Sequence, residues 1–370
     1  MGAVIFSLVN KLRYGCMQIL LLDDRIPDPH FGAGFPRAYR ILLSLHDLGH
    51  KIIFYPTLKH TLKEVNRERL MEYGVEVCDD LTTLKGRAID VAILSRPHNV
   101  HYHLPVIQKV LPNTKTIYDT EALWFRRYDL QLAITGKLPG WAYRYDELGM
   151  ARAVDLCFVV NNTEKQILEA NGVKRVVRLG HALDIDSDGK PFNERKDFLV
   201  VGGILEEDSS NEDGLWWYLE NCWAKVEAAT GAKLKITGRA HSKRLLEQKL
   251  PGVEIMGHVD ELKDCYQNDS VFVATTRFAT GIPWKVHEAM ANGIPCMISS
   301  LLADQLGVTD GVEALVSHSV QEAIDKSIQL YSKESDWTKS RENAFGLVQR
   351  DCDPEDFKKI LQTAIASIVP

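Results

Sequence analysis

Lys285 and Glu288 stand three positions apart in the segment R-F-A-T-G-I-P-W-K-V-H-E-A-M-A-N-G-I-P-C-M-I-S, residues 277–299. On a helix that spacing puts both side chains on one face. A lysine there offers a cation for phosphate, and a glutamate offers a carboxylate for sugar hydroxyls. The preceding turn, Ala279-Thr280-Gly281-Ile282, delivers the helix. Pro283 is expected in the first turn, where no backbone N–H bond is lost. Thr280 is a candidate cap for the free amides. The open amino end of such a helix attracts phosphate, and the amides near Gly281 and Ile282 add to that pull. Gly293 stops the helix, and an apolar strand resumes at Ile294.

Further candidates sit where apolar runs end. Gly34 opens the first helix, and Gly203, Gly238, Gly257 and Gly281 each follow a strand-like run. Together they suggest backbone that comes close to a ligand. Arg239 and Arg277 are cations beside those glycines and could join Lys285 around a diphosphate. Asp119, Glu121 and Arg126 follow the strand-like Lys115–Tyr118. His181 ends the last strand expected in the first half, and His98 opens an H-N-V-H-Y-H cluster. These reach for a sugar or an acceptor. No carboxylate or cysteine stands at ligand spacing beside the histidines, and Asp184-x-Asp186 lies in a polar stretch, so no metal site is expected.

The elements that position these residues alternate strand with helix. Strands are expected at Gln18–Leu22, Lys51–Tyr55, Asp90–Leu94, Lys115–Tyr118, Val154–Val160 and Val173–Leu179. A polar stretch, Asp184–Lys196, reads as a linker. The pattern then restarts at Asp197–Val201, Leu234–Thr237, Val253–Ile255 and Val271–Ala274, with a helix over Gly214–Ala228 and a terminal helix at Pro354–Ile368. This predicts an α/β protein of two Rossmann-like, doubly wound domains facing a cleft. The expected parts are a leader over 1–16, flexible or in contact with a membrane, an acceptor-side domain over 17–190, and a nucleotide-sugar-binding domain over 191–353. Residues 354–370 are expected to pack back on the first domain.

With 370 residues the chain exceeds one ordinary core. A formal net charge of -6 argues against general nucleic-acid binding. Seven cysteines without a C-x-x-C pair fit a reducing compartment and point to the cytoplasm. Met1–Cys16 is too short to span a membrane and lacks a cleavage pattern. A short interfacial helix at the inner face of a membrane, or a natural start at Met17, both stay open.

Four segments carry a resemblance to the retaining GT-B glycosyltransferases of family 4. Gly32-Ala33-Gly34 with Leu48-Gly49-His50 is similar to the family's amino-terminal pattern. Tyr118-Asp119-Thr120 running to Arg126 resembles a subgroup motif. Asn211–Trp223 is similar to the first helix of the donor domain. Gly257–Leu262 and Gly281–Pro295 resemble the nucleotide loops. The resemblance implies a transferase that moves a sugar from a nucleoside diphosphate to a hydroxyl, with retention and without metal or other cofactor. It implies that Glu288 holds the ribose, that Gly257, His258 and Val259 flank the base, and that Gly34 and Gly203 approach the donor. Its acceptor is a glycan, a lipid-linked glycan or a protein.

The sequence departs from the family at four places, one of them Trp124, where the subgroup motif usually has histidine. Thr280 stands where the first signature glutamate is usual, eight positions before Glu288. Pro283 replaces a glycine, and residues 204–213 are acidic where an arginine and a lysine are usual. A nucleotide-sugar 2-epimerase and a degenerate nucleotide-binding partner subunit are the rival readings. A dehydrogenase is disfavoured, since G-A-G-F-P-R after strand one is not G-x-G-x-x-G.

Overall fold

The computed structural model describes residues 15–28, 34–58, 64–204, 208–259 and 261–369. Most of the expected leader, Gly32 and Ala33 of the first glycine pattern, and Asp260 lie outside the described residues. The chain divides into two compact units. The first comprises Met1–Tyr128, Leu138–Ala182 and Pro354–Pro370, and the second Asp129–Lys137 and Leu183–Asp353.

The first unit runs β1 (Gln18–Asp23), α1 (Phe35–Asp47), β2 (Lys51–Pro56), α2 (Glu64–Glu72), β3 (Glu76–Val77), β4 (Val91–Ser95), α3 (Pro97–Val110), β5 (Lys115–Asp119), α4 (Trp124–Thr135), α5 (Glu147–Ala153), β6 (Leu156–Val159), α6 (Asn162–Ala170) and β7 (Val176–Arg178). Its parallel sheet has the order β3-β2-β1-β4-β5-β6-β7. The strands read as unbroken apolar runs because both faces are covered. Ile19, Leu21, Phe54, Ile93 and Phe158 face one core, and Leu20, Leu22, Ile53, Leu94 and Val159 face the other.

The second unit runs β8 (Lys196–Val201), α7 (Ser210–Tyr218), α8 (Ala224–Thr230), β9 (Leu234–Thr237), α9 (Lys243–Leu246), β10 (Val253–Gly257), α10 (Leu262–Asn268), β11 (Asp269–Ala274), α11 (Trp284–Ala291), β12 (Cys296–Ser299), α12 (Ser300–Leu306), β13 (Leu315–Ser317), α13 (Val320–Ser332) and α14 (Glu334–Asp351). Its parallel sheet has the order β10-β9-β8-β11-β12-β13. Both sheets therefore reverse direction beside their first strand, at β1/β4 and at β8/β11. In open α/β sheets ligands bind outside the carboxyl ends of strands at such a point. These two α/β sheets are the two Rossmann-like domains expected from the sequence.

Several local expectations need correction. The polar stretch Asp184–Lys196 is not a free linker along its length. Leu183 and Ile185 pack on a core of the second unit, and Lys196 already begins β8. Arg195 is buried and donates to the carbonyls of Tyr266 at 2.6 Å and Asp269 at 3.2 Å. The helix expected over Gly214–Ala228 is interrupted by a π-helical turn at Leu219–Trp223. The turn lets Trp223 bury its ring and donate its indole N–H to Pro251 O at 2.8 Å. Among the described residues all seven cysteines are free thiols, and no helix is long and apolar enough to cross a membrane.

The terminal helix α15 (Pro354–Ala366) belongs to the first unit. Phe357, Leu361 and Ile365 repeat at helical spacing and join the core of Ile41, Leu42 and Leu45. Its buried Gln362 meets His50 across 2.8 Å. Leu361→Ala should therefore cost about 2–5 kcal/mol of first-unit stability, read as a lowered denaturant midpoint for that unit's transition.

Candidate functional site

In the second unit the candidates gather where β8, β9, β10 and β11 end. The loops after β8 and β9 touch through Ile204 and Ala240, with Ile204 N donating to Arg239 O at 2.8 Å. Gly238 is required there. Its φ is +134°, and a Cβ would lie 2.4 Å from Gly202 O. Arg239 itself is exposed at this rim, and so is His258 beyond β10, next to Gly257.

Lys285 sits in the first turn of α11. Its Nζ donates to Asn211 Oδ1 at 2.8 Å, and Asn211 Nδ2 donates to Gly203 O at 3.0 Å. One amide side chain thus ties the cation to the glycine loop. Burial lowers the Lys285 pKa to about 8. Lys285 is half-buried, and no carboxylate is bonded to its ammonium among the described residues. Glu288 lies one turn on along α11 and accepts from Tyr266 Oη at 2.9 Å.

The start of α11 differs from expectation. Pro283 occupies the cap position just before the helix, with its carbonyl accepting from Val286 N at 3.0 Å. Thr280 does not cap the helix; its hydroxyl is buried and has no hydrogen-bond partner among the described residues. Gly281 takes φ +84°, so the turn bends before the hydroxyl can reach the helix amides. Ile282 packs against the adjoining core. Arg277 is engaged by Asp213, Nε to Oδ2 at 2.8 Å and Nη2 to Oδ1 at 2.5 Å. The acidic stretch that replaces the expected cations therefore neutralises one.

The first unit carries a denser charge cluster at its own switch point. Asp119 ends β5 with no exposed surface and pairs with Arg37 Nη1 at 2.7 Å. Arg37 also donates from Nε to Gly180 O at 3.0 Å and from Nη2 to Leu179 O at 2.9 Å, just before the buried His181. Asp119 thus holds Arg37 in place and is shielded from any ligand in this conformation. Arg96, after β4, bridges Asp23 Oδ1 at 2.8 Å and Glu121 Oε2 at 3.0 Å. His98 contacts Asp24 Oδ1 at 2.5 Å. Arg126 is exposed in the first turn of α4. Arg96 and Glu121 take φ of 77° and 53°, left-handed conformations that non-glycine residues seldom adopt outside functional sites. Gly34 also needs its missing side chain, because a Cβ would lie 2.8 Å from Glu121 Oε2.

Four carboxylates face two guanidinium groups in this cluster, and the surplus shows in titration. Burial pushes Glu121 up to about 8 against the pull of Arg96, with Asp23 and Asp119 adding to the rise. Burial raises Asp23 as well. Asp24 goes the other way: burial is outweighed by its hydrogen bond from His98 and the charge of Arg96. Arg37, Arg96 and Asn211 were not picked out from the sequence. Arg96 directly follows an apolar strand, which is the signal that could have found it. Arg37 lies in an apolar helix with nothing to set it apart.

Among the described residues no group of three or more His, Cys, Asp or Glu is placed to hold a metal ion. A concavity of about 440 Å³ lies at the opposite, amino-terminal edge of β5 and β6, lined by Pro112, Asn113, Lys115 and Asp155. It holds none of these candidates, and the strand-end rule favours the carboxyl edge.

Residues 195–333, from β8 to α13, match the family model described as Glycosyl transferases group 1. No curated protein matches the sequence. Solved structures do match. A glycosyltransferase from Rickettsia africae superposes with TM-score 0.71 at 10% identity, over 96% of this chain and 99% of that one. Sucrose-phosphate synthase from Thermosynechococcus elongatus gives 0.69 at 14%, over 93% and 96%. HepE from Anabaena, crystallised with UDP and glucose, gives 0.65 at 13%, over 95% and 100%. These likenesses establish the GT-B fold. With the matched domain, which contains Asn211, Lys285 and Glu288, they support a GT-B glycosyltransferase.

The titration of Glu121 can be checked. Its carboxyl binds a proton more tightly in the folded state, so its contribution is full below the unfolded value of 4.5 and is lost as pH rises through about 8. Wild-type Tm should decline across that window, and Glu121→Gln should flatten the decline. Parallel Tm–pH curves for the two proteins would remove this assignment.

Proposed function

We propose that the protein is a retaining, metal-independent glycosyltransferase of family 4, acting on a nucleoside diphosphate sugar and a hydroxyl acceptor. The observation that carries the reading is the Lys285–Asn211–Gly203 linkage inside the matched domain. It offers a desolvated cation, held by a neutral partner, beside a glycine loop.

In the proposed reaction the bond between the anomeric carbon and the diphosphate oxygen breaks, and its electron pair leaves with the diphosphate. Lys285 and the amides near Gly281 and Ile282 stabilise that charge, which is where fixed donors in a dry site act most strongly. The acceptor hydroxyl forms the new bond on the face the diphosphate leaves, and its proton passes to a departing phosphate oxygen. No separate protein base is required. Glu288, oriented by Tyr266, is assigned the ribose hydroxyls. Gly257, His258 and Val259 are assigned the base, with Gly203 and Arg239 at the diphosphate. Thr280 is assigned to the donor side, and Gly34 to close approach of the donor. Arg126, His181 and His98 are assigned to the acceptor side. Asp119 is assigned a supporting role through Arg37, and Arg277 a supporting role through Asp213. The acceptor is a glycan, free or linked to lipid or protein. The proposed location is the cytoplasm, with peripheral contact at a membrane.

The UDP held by HepE makes UDP the first nucleotide to test. Calorimetry against UDP, GDP and dTDP, in magnesium and in EDTA, should show one nucleotide binding equally in both. Binding only in magnesium would overturn the metal-independent reading. Binding of none would overturn the transferase reading. NMR of the product's anomeric proton tests retention directly.

Lys285→Ala should lower kcat on the order of a hundredfold. Because burial holds Lys285 at about 8, its charge fades as pH rises through that value. Diphosphate affinity should weaken above about pH 8 in the wild type and stay flatter in Lys285→Arg. An alanine variant with wild-type turnover would end the assignment.

A further inference from the structure

A continuous belt of aromatic rings crosses the first unit. It starts at His98, which touches Asp24 beside the Arg96 cluster. From His98 it runs one way to Tyr145, with centroids 6.4 Å apart, and on to Tyr102 at 6.3 Å. The other way it runs to Trp124 at 5.8 Å and to Trp141 at 6.1 Å. Tyr128 extends it, 5.7 Å from Trp141 and 5.2 Å from Tyr143. Two helices, α3 and α4, and the loop before α5 contribute to it.

The belt ends in solvent. Tyr102 is 57% exposed, Trp141 45% and Tyr143 46%. Three large rings left in water, joined through the half-buried His98, Trp124 and Tyr145 and the buried Tyr128, mark an interaction surface. Edge-on and tilted packing among the rings holds them in place before any ligand arrives. Their chemistry selects the ligand. Every ring in the belt carries a hydrogen-bonding group: a phenol hydroxyl, an indole N–H or an imidazole nitrogen. Phe125, the phenylalanine of α4, turns inward onto the second core instead. A lipid chain has no use for those polar groups. A sugar ring matches them, with an apolar C–H face to lie on an aromatic ring and hydroxyls to bond around its rim. The inner end of the belt meets carboxylate and imidazole, further partners for hydroxyls.

We propose that this belt is a binding platform for an oligosaccharide, so that the acceptor is a glycan of several sugar units. The inference rests on the transferase reading, and it narrows that reading's acceptor.

The test uses the full chain and free oligosaccharides, graded from monosaccharide to hexasaccharide in glucose, mannose, galactose and N-acetylglucosamine series. Affinity should rise with length in at least one series. Trp141→Ala and Tyr102→Ala should each weaken the longest ligand by about tenfold, and Trp141→Phe should restore most of the loss. UDP affinity, measured on the same samples, should stay unchanged and report that the variants are folded. Oligosaccharides that bind no better than monosaccharides, or alanine variants that bind like wild type, would overturn the platform. So would capture of phosphatidylglycerol vesicles by the wild type and not by Trp141→Ala, because the belt would then face lipid. Absence of UDP binding in the wild type would instead strike the transferase reading and leave the glycan result to stand on its own.

Discussion

A half-buried cation with a neutral partner is the arrangement on which the second unit's candidate site depends. Lys285 and Arg277 make the contrast. Arg277 is gripped on two nitrogens by Asp213. A bidentate ion pair of that kind is strong and leaves little field for a third charge. Lys285 is held by an amide, which fixes direction without cancelling charge. Removing the ammonium from water is unfavourable and pulls its pKa down. An incoming diphosphate would return that loss. The same cation placed opposite a carboxylate would be more comfortable and less useful.

The first unit solves the converse problem. Its strand ends bring Asp23, Asp24, Asp119 and Glu121 together with Arg37 and Arg96. The two guanidinium groups pair with all four carboxylates, Arg37 with Asp119, and Arg96 with Asp23, Glu121 and, at a longer 3.6 Å, Asp24. This edge holds Glu121 and Asp23 at raised pKa, chiefly through burial, with neighbouring negative charge adding to it. It suits hydroxyls, which both accept from arginine and donate to carboxylate.

Much of this was legible in the sequence because parallel sheets write plainly. Strands covered on both faces become apolar runs, and glycines mark their ends. Lys285 and Glu288 could be read as a pair because helical spacing is local information. Asn211 could not, since its value comes from touching Lys285 and Gly203, contacts made only by the fold. Thr280 failed as a cap for a related reason: its hydroxyl suits the role, but the turn at Gly281 carries it away from the helix. The linker was overextended because Arg195 looks polar in sequence and is buried in the structure, where three backbone carbonyls accept from it. Arg37 hid the same way, as a cation inside an apolar helix whose partners lie far along the chain.

At 10–14% identity the matched structures share an architecture and little else. That is physically reasonable. A β-strand core asks only for apolar residues of suitable volume, and many sequences meet the request. The residues at strand ends answer to a ligand instead. The fold alone therefore cannot name a sugar or an acceptor. What discriminates is the chemistry exposed at each edge: an amide-held lysine in one unit, and in the other a carboxylate-rich centre flanked by polar aromatic rings. The second arrangement lies outside the matched segment. Under the proposed function, specificity for the acceptor belongs to the first unit.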